Sequence, residues 1–322
     1  MINRQEALGK DEAAVTPRPP NRARFLVLVS FFKNKKSAIG FVIFSLFAIM
    51  AIFSPWIRPY NPSATEFLPL QPPSWHHLLG TTASGQDVFS QLVVGSRVSL
   101  GIGVGAGVLA TVLAILMGMV PAYLGGRTDA IFNTITNIML VIPGLPLLIV
   151  ITAYIHQSGT WSLIFVLGLT GWAWGARVLR SQTLTYVRRD FVVAAKLAGA
   201  SHWYIVMHEI LPNMLSLVVA NLMFGTLGAL LATASLQFLG LGNPDAMSWG
   251  TMLFWAENGE ALLNGAWWWI VAPGAAVALV GASMALMNFG VDELSNPRLR
   301  QALQYSKAMA KAQASGAGRK RA

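Results

Sequence analysis

The stretch Val98-Ser99-Leu100-Gly101-Ile102-Gly103-Val104-Gly105-Ala106-Gly107-Val108-Leu109-Ala110-Thr111-Val112-Leu113-Ala114-Ile115-Leu116-Met117-Gly118-Met119-Val120-Pro121-Ala122-Tyr123-Leu124 runs for 27 residues without a charged side chain. About 20 mostly apolar residues in an α-helix cross the roughly 30 Å hydrocarbon core of a bilayer. Outward from this stretch, five more segments meet the same test: Ser37–Ile57, Ala130–Ile155, Trp161–Gly175, Met214–Gly240 and Ala266–Phe289. None of the six contains Asp, Glu, Lys or Arg. The expected fold is an all-α membrane protein with six transmembrane helices. Ser37–Ile57 is too long, and starts too late, for a cleavable signal peptide. Within the quoted stretch, Gly101, Gly103, Gly105 and Gly107 make two overlapping GxxxG pairs, which let helix backbones approach closely. A dinucleotide-binding loop is a poor reading: Ala106 stands where the third glycine of GxGxxG belongs, and no strand precedes the run.

Of the 322 residues, 54% are hydrophobic and 11% charged, against about 25% charged in an ordinary soluble protein. Mean hydropathy is +0.54. These figures exclude a soluble enzyme, a disordered chain and a simple nucleic-acid binder. The sequence has no Cys, which excludes disulfides, Cys-ligated metal and thiol catalysis.

Lys and Arg are retained on the cytoplasmic side of a membrane protein. Of the 23 here, 21 lie in the N-terminal arm, the connections after the second and fourth spans, and the C-terminal tail. Arg58 and Arg97 lie on the other side. Both termini are therefore expected inside. The inner segments hold 21 basic against eight acidic residues, net +13, and the outer segments two against five, net −3. The formal net charge of +10 is thus a topology signal.

The expected organisation is a cytoplasmic arm over residues 1–36, a six-helix domain over 37–290 and a basic cytoplasmic tail over 291–322. Phe25–Lys36 is apolar and then basic, as in an interfacial elbow that attracts anionic lipid. Two outer loops cover residues 58–96 and 241–265. Trp267-Trp268-Trp269 is expected to anchor the mouth of the last span at the membrane interface. His76-His77 is expected on the surface of the first outer loop.

The connection Thr183–Asn213 is long for a compact bundle and is not a polar linker. Its Ala-rich segment stops at Gly199, a candidate for the left-handed C-cap position. Ser201 is placed to cap a second short helix, and Pro212 to open the fifth span. Two short helices with a sharp bend make a rigid cytoplasmic surface that a soluble partner could push or pull.

This connection resembles the EAA motif, E-A-A-x3-G-x9-I-x-L-P, of permease subunits of binding-protein-dependent ABC importers. Ala194, Ala195, Gly199, Leu211 and Pro212 match it; Val193 replaces the Glu and Glu209 the Ile. Other segments are similar to the C-type permeases of dipeptide, oligopeptide and nickel importers. They are Phe32-Lys33-Asn34-Lys35, Ser54–Pro62, Leu79–Ser90, Phe238–Gly242 with Ser248–Leu253, and Asn296-Pro297-Arg298-Leu299-Arg300.

The resemblance implies the type I permease fold, with Val193, Ala194, Ala195, Gly199, Ala200, Ser201, His202, Leu211 and Pro212 in the helix that docks on the ATPase. It implies a second, homologous permease chain as partner, two cytoplasmic ATPase subunits and an extracytoplasmic solute-binding protein. ATP and Mg would be bound by the ATPases. The chain itself has no GxxxxGK[ST] loop and no expected cofactor, metal or catalytic residue. ATP-driven closure of the ATPases would switch the pathway between outward and inward access. The expected location is the inner membrane of a prokaryote.

A hydrophilic solute needs polar or small side chains along its path. Candidates are Asn133, Thr136, Asn137, Asn221, Thr226, Thr233 and Ser235, each also able to hydrogen-bond between helices. The resemblance implies an acidic residue near the position of Thr233. With Thr there, a neutral solute such as an oligosaccharide stands level with a peptide. An ion-coupled secondary transporter is the alternative. Ion relays need ionisable groups inside the membrane, and only His156 lies near a span end. Unwound backbone carbonyls could still bind sodium. An intramembrane protease lacks support, since neither HExxH nor a paired intramembrane Asp is present.

Overall fold

The computed structural model describes residues 34–155 and 159–295. Residues 1–33 of the arm and elbow, His156, and the tail from Asn296, with Asn296–Arg300, lie outside the described residues; Lys35 and Lys36, expected in the arm, begin the first helix. Among those described, the regular structure is helical. The first helix, α1 (Lys35–Ile52), is capped by Asn34, whose side chain accepts from Lys36 N. A single turn, α2 (Ser54–Ile57), follows. The long α3 (Val88–Leu124) is capped by Asp87, whose carboxylate accepts from Ser90 N at 2.7 Å.

After α3 come α4 (Gly126–Val141), α5 (Gly144–Tyr154) and α6 (Thr160–Tyr186). A short α7 (Asp190–Leu197) and an irregular α8 over residues 202–213 form the connection to α9 (Leu215–Phe238). The chain closes with α10 (Trp249–Asn258) and α11 (Trp267–Ser295). Five helices, α1, α3, α6, α9 and α11, are long and apolar enough to cross a membrane.

The expected third span, Ala130–Ile155, is not one continuous helix. It is the pair α4 and α5, bent by 86°. Ile142 is extended, with ψ 124°, because a residue before proline is driven out of the α region. Pro143 is extended as well, with ψ 120°. The fourth span also differs from Trp161–Gly175: α6 continues to Tyr186, beyond the apolar run. The arginines that mark its polar end, Arg177 and Arg180, are helical residues.

The centre of the bundle is α3 between α6 and α9, while α11 lies against α1 and α9. The glycines quoted at the outset explain the fit. A Cβ on Gly107 would collide with Thr226 of α9, and one on Gly103 would lie 3.3 Å from Leu230 Cβ of the same helix. Gly105 faces Ile164 of α6, and Gly101 faces open space. Farther along, Gly118 lies on the backbone of Ala176. Backbone approach of this kind adds dispersion contacts where lipid gives no hydrophobic drive between helices.

Two π-helical turns interrupt the α pattern, Ile115–Met119 in α3 and Ile205–Ile210 in α8. Each comes just before a proline, Pro121 and Pro212. Proline lacks the N–H for a bond four residues back, and its ring crowds that carbonyl. The wider turn lets Val120 N–H reach Ile115 O and Leu211 N–H reach Val206 O.

The first long loop folds onto one end of the bundle, and there two surface expectations fail. His77 is buried, with Nδ1 2.9 Å from Asp87 Oδ1, and it packs against Tyr60 and Phe67. His76 is exposed as expected. In the Trp triplet only Trp267 is exposed. Trp268 is buried and its Nε1 donates to Thr81 O at 3.2 Å; Trp269 is buried beside Gly259. Trp268 therefore fastens the first loop to the bundle, and Trp269 packs against the end of α10, so neither indole lies at the surface as an interfacial anchor would.

Candidate functional site

The connection from α6 to α9 is built as a bend of two short helices. Gly199 has φ +76°, in the left-handed region that Gly enters without the Cβ penalty. There Gly199 N donates to Lys196 O and Ala200 N to Ala195 O, which satisfies the last carbonyls of α7. Ser201 then caps α8, its side-chain oxygen accepting from Tyr204 N at 3.2 Å. The bend is fixed by backbone bonding at both helix ends.

Apolar side chains hold it to the bundle. Val192, Ile205, Val206 and Ile210 are fully buried against Met119, Tyr123, Ala176 and Leu179. Each such burial is worth about 1.5–3 kcal/mol. Polar contacts fix the orientation. Tyr123 Oη lies 3.2 Å from His202 Nδ1, and Lys196 Nζ sits 4.8 Å over the Tyr123 ring. Tyr186 Oη donates to Asn213 O at 3.2 Å, which ties the end of α6 to the end of α8.

The outward face of the same bend is apolar and unpaired. Leu197 is 85% exposed, and Val193, Trp203 and Tyr204 are roughly half exposed. Ala194 and Gly199 are exposed, while Ala195 and Ala200 are partly covered. Tyr204 stacks on His208 with ring centroids 4.7 Å apart, which widens this surface. Leu197, Trp203 and Tyr204 were not picked out by the motif. The sequence marks them only as large apolar residues beside the bend; that Val192, Ile205 and Val206 take the covered side is seen in the structure.

Beside the bend, α4 and α6 are clamped together. Arg180 donates through Nε and Nη2 to both carboxylate oxygens of Asp129, at 2.7 and 2.8 Å. On the same pair of helices, Arg177 Nη2 donates to Asn137 Oδ1 at 2.8 Å, with both residues exposed. The other pathway candidates scatter through helix contacts. Asn221 Nδ2 donates to Thr111 Oγ1 at 3.2 Å and its amide lies against Gly175. Thr226 is buried at Gly107, and Thr233 is buried with its hydroxyl donating to Ala229 O. Thr136 is buried and bonded to Phe132 O, Asn133 is half-buried, and Ser235 bonds within α9. Asn133 and Asn137 share one side of α4, but the seven do not converge on a single cavity. Among the described residues, no three His, Asp or Glu side chains are grouped to hold a metal ion.

Residues 110–301 match the family described as the binding-protein-dependent transport system inner membrane component. The chain belongs to this family. The bend described above lies wholly within the matched region of this inner-membrane permease. Residues 26–73 match the N-terminal transmembrane domain of oligopeptide transport permease C.

This ABC-transporter permease is 33% identical over 295 residues to the probable D,D-dipeptide transport system permease protein DdpC of Escherichia coli, covering 90% of this chain and 97% of the relative. It is 33% identical over 281 residues to the di/tripeptide transport system permease protein DppC of Pseudomonas aeruginosa, covering 84% and 91%. It is 31% identical over 276 residues to the oligopeptide transport system permease protein OppC of Bacillus subtilis, covering 85% and 89%.

Proposed function

We propose that this permease forms one half of the pathway of an ATP-driven peptide importer, and that the α7–α8 bend is its docking surface for a cytoplasmic ATPase subunit. The observation that carries the docking role is the two-faced bend. One face is locked into the bundle through Val192, Ile205, Val206 and Ile210, and the other presents Leu197, Val193 and Trp203 without a partner. A push on the exposed face reaches α3 through Tyr123 and α6 through Tyr186. ATP binding by two such subunits would close them together and move both permease halves. An equilibrium between outward- and inward-open states shifts only by the differential binding to the two.

The placement of basic residues supports a cytoplasmic bend, with both termini inside. A second, homologous permease completes the pathway, and an extracytoplasmic binding protein delivers the solute. Peptides are favoured over oligosaccharides because the relatives are named as D,D-dipeptide, di/tripeptide and oligopeptide transport permeases. The test is reconstitution of the complex with its ATPases, partner permease and binding protein in proteoliposomes. Uptake of labelled trialanine that depends on ATP and on the binding protein is expected. Uptake of an oligosaccharide without uptake of peptide would overturn the substrate class.

A further inference from the structure

A second feature lies at the opposite end of the bundle. Tyr123 of α3 touches the bend, whereas Leu92, some 30 residues back along the same helix, accepts from Trp249 of α10 at 3.2 Å. At about 1.5 Å per residue the two ends are roughly 45 Å apart. At this outer end is a cavity of about 530 Å³. Small-ligand sites span roughly 300–1,000 Å³.

The cavity wall is preformed. Ser248 and Thr251 bond reciprocally as a capping box that starts α10, and Ser248 Oγ donates to Gln237 Oε1 at 2.7 Å. On the loop side, Gln91 Nε2 donates to Gln86 Oε1 at 2.8 Å, and Trp268 Nε1 holds Thr81 O. Trp255 lines the cavity with its Nε1 bonded to Pro244 O at 3.2 Å, which fixes the indole and leaves about half of it exposed.

The lining has a defined polarity. Asp245 is its charged residue and is exposed; among the described residues no Lys, Arg or His lies within ion-pair distance of it. Ser84, Gln86 and Asn258 add neutral polar groups. Trp269 closes the wall and is buried, and its Nε1–H has no acceptor among the described residues.

We propose that this cavity is an entry subsite for the ammonium end of a short peptide. The Asp245 carboxylate supplies the counter-charge, and the Trp255 face attracts the same cation through its π-system. No basic side chain lines the cavity, so a carboxylate or phosphate finds no match there. The inference rests on the peptide-import reading above and names where the peptide first meets this chain.

The experiment uses the complete transporter in nanodiscs without binding protein, and measures equilibrium binding of radiolabelled trialanine and of N-acetyl-trialanine. Free trialanine is expected to bind at least fivefold more tightly than the acetylated form. Asp245→Asn and Trp255→Ala should each erase that preference, and Trp255→Phe should retain part of it. Asp245 and Trp255 are exposed, so these variants leave the bundle intact, which a melting curve verifies. Equal binding of the two peptides, or binding unchanged in Asp245→Asn, overturns the subsite. So does a variant that alters only the affinity of the complex for the binding protein, which would assign the cavity to docking. Trialanine uptake with the binding protein present is scored separately, so failure of peptide import is distinguishable from failure of the subsite.

Discussion

Gly199 separates what the bend needs for folding from what it needs for docking. With φ +76°, any L-residue with a Cβ pays the left-handed penalty of about 1–2 kcal/mol. Among the described residues no heavy atom outside its chain neighbours lies within 4 Å of the Cβ position, and Gly199 is exposed, so a side chain here starts into open space. Gly199→Ala and Gly199→Trp should therefore lose similar stability, about 1–2 kcal/mol, and Gly199→Asn less, because Asn tolerates this conformation. Docking distinguishes them. Alanine adds one methyl group to the exposed face, whereas tryptophan projects an indole into the space that an ATPase would fill. Melting curves of the purified complex, solute-stimulated ATPase activity and proteoliposome uptake are measured for all three. Gly199→Ala is expected to keep most of its stimulation and uptake. Gly199→Trp is expected to melt like Gly199→Ala yet lose stimulation and uptake by at least tenfold. Tryptophan behaving like alanine in all three assays would refute the docking assignment.

Three further substitutions test the fold. Gly107→Leu places a branched side chain against Thr226, where overpacking of the α3–α9 contact costs about 1–3 kcal/mol or more, and folded protein in detergent should fall sharply. Asp129→Asn removes a two-pronged charged clamp on Arg180, and a loss of about 1.5–3 kcal/mol is expected in denaturant titration. Trp268→Phe deletes the bond to Thr81 O at a cost of about 1 kcal/mol, which limited proteolysis should detect as faster cleavage between residues 60 and 86.

The parts legible from sequence were those fixed by local rules. Gly199 and Ser201 announce themselves because a left-handed cap demands Gly and an N-cap demands a short side-chain acceptor. The glycines of α3 were readable because only a missing side chain lets backbones meet. The break after Val141 was half legible. Pro143-Gly144-Leu145-Pro146 marks a disturbance, but an apolar run carries no sign of how far the axis turns, and the extended Ile142 and Pro143 turn it by 86°. His77 and Trp268 were not legible, because their burial depends on partners elsewhere. Trp268 meets a carbonyl 187 positions away, and His77 meets a carboxylate that already caps another helix. The exposed apolar face of Leu197 and Trp203 needed the structure too, since sequence alone does not say which side of a bend is already covered.

The central claim is that the exposed face of the α7–α8 bend contacts the ATPase. The chain has no Cys, so single cysteines can be introduced without a background. Leu197→Cys on the bend and Ser63→Cys beside the opposite cavity are each cross-linked in the assembled transporter with a short bifunctional maleimide. The account predicts an adduct between Leu197→Cys and the ATPase subunit, changed in yield by ATP, and none between Ser63→Cys and that subunit. Absence of the Leu197→Cys adduct in a complex that still hydrolyses ATP and transports solute would contradict it.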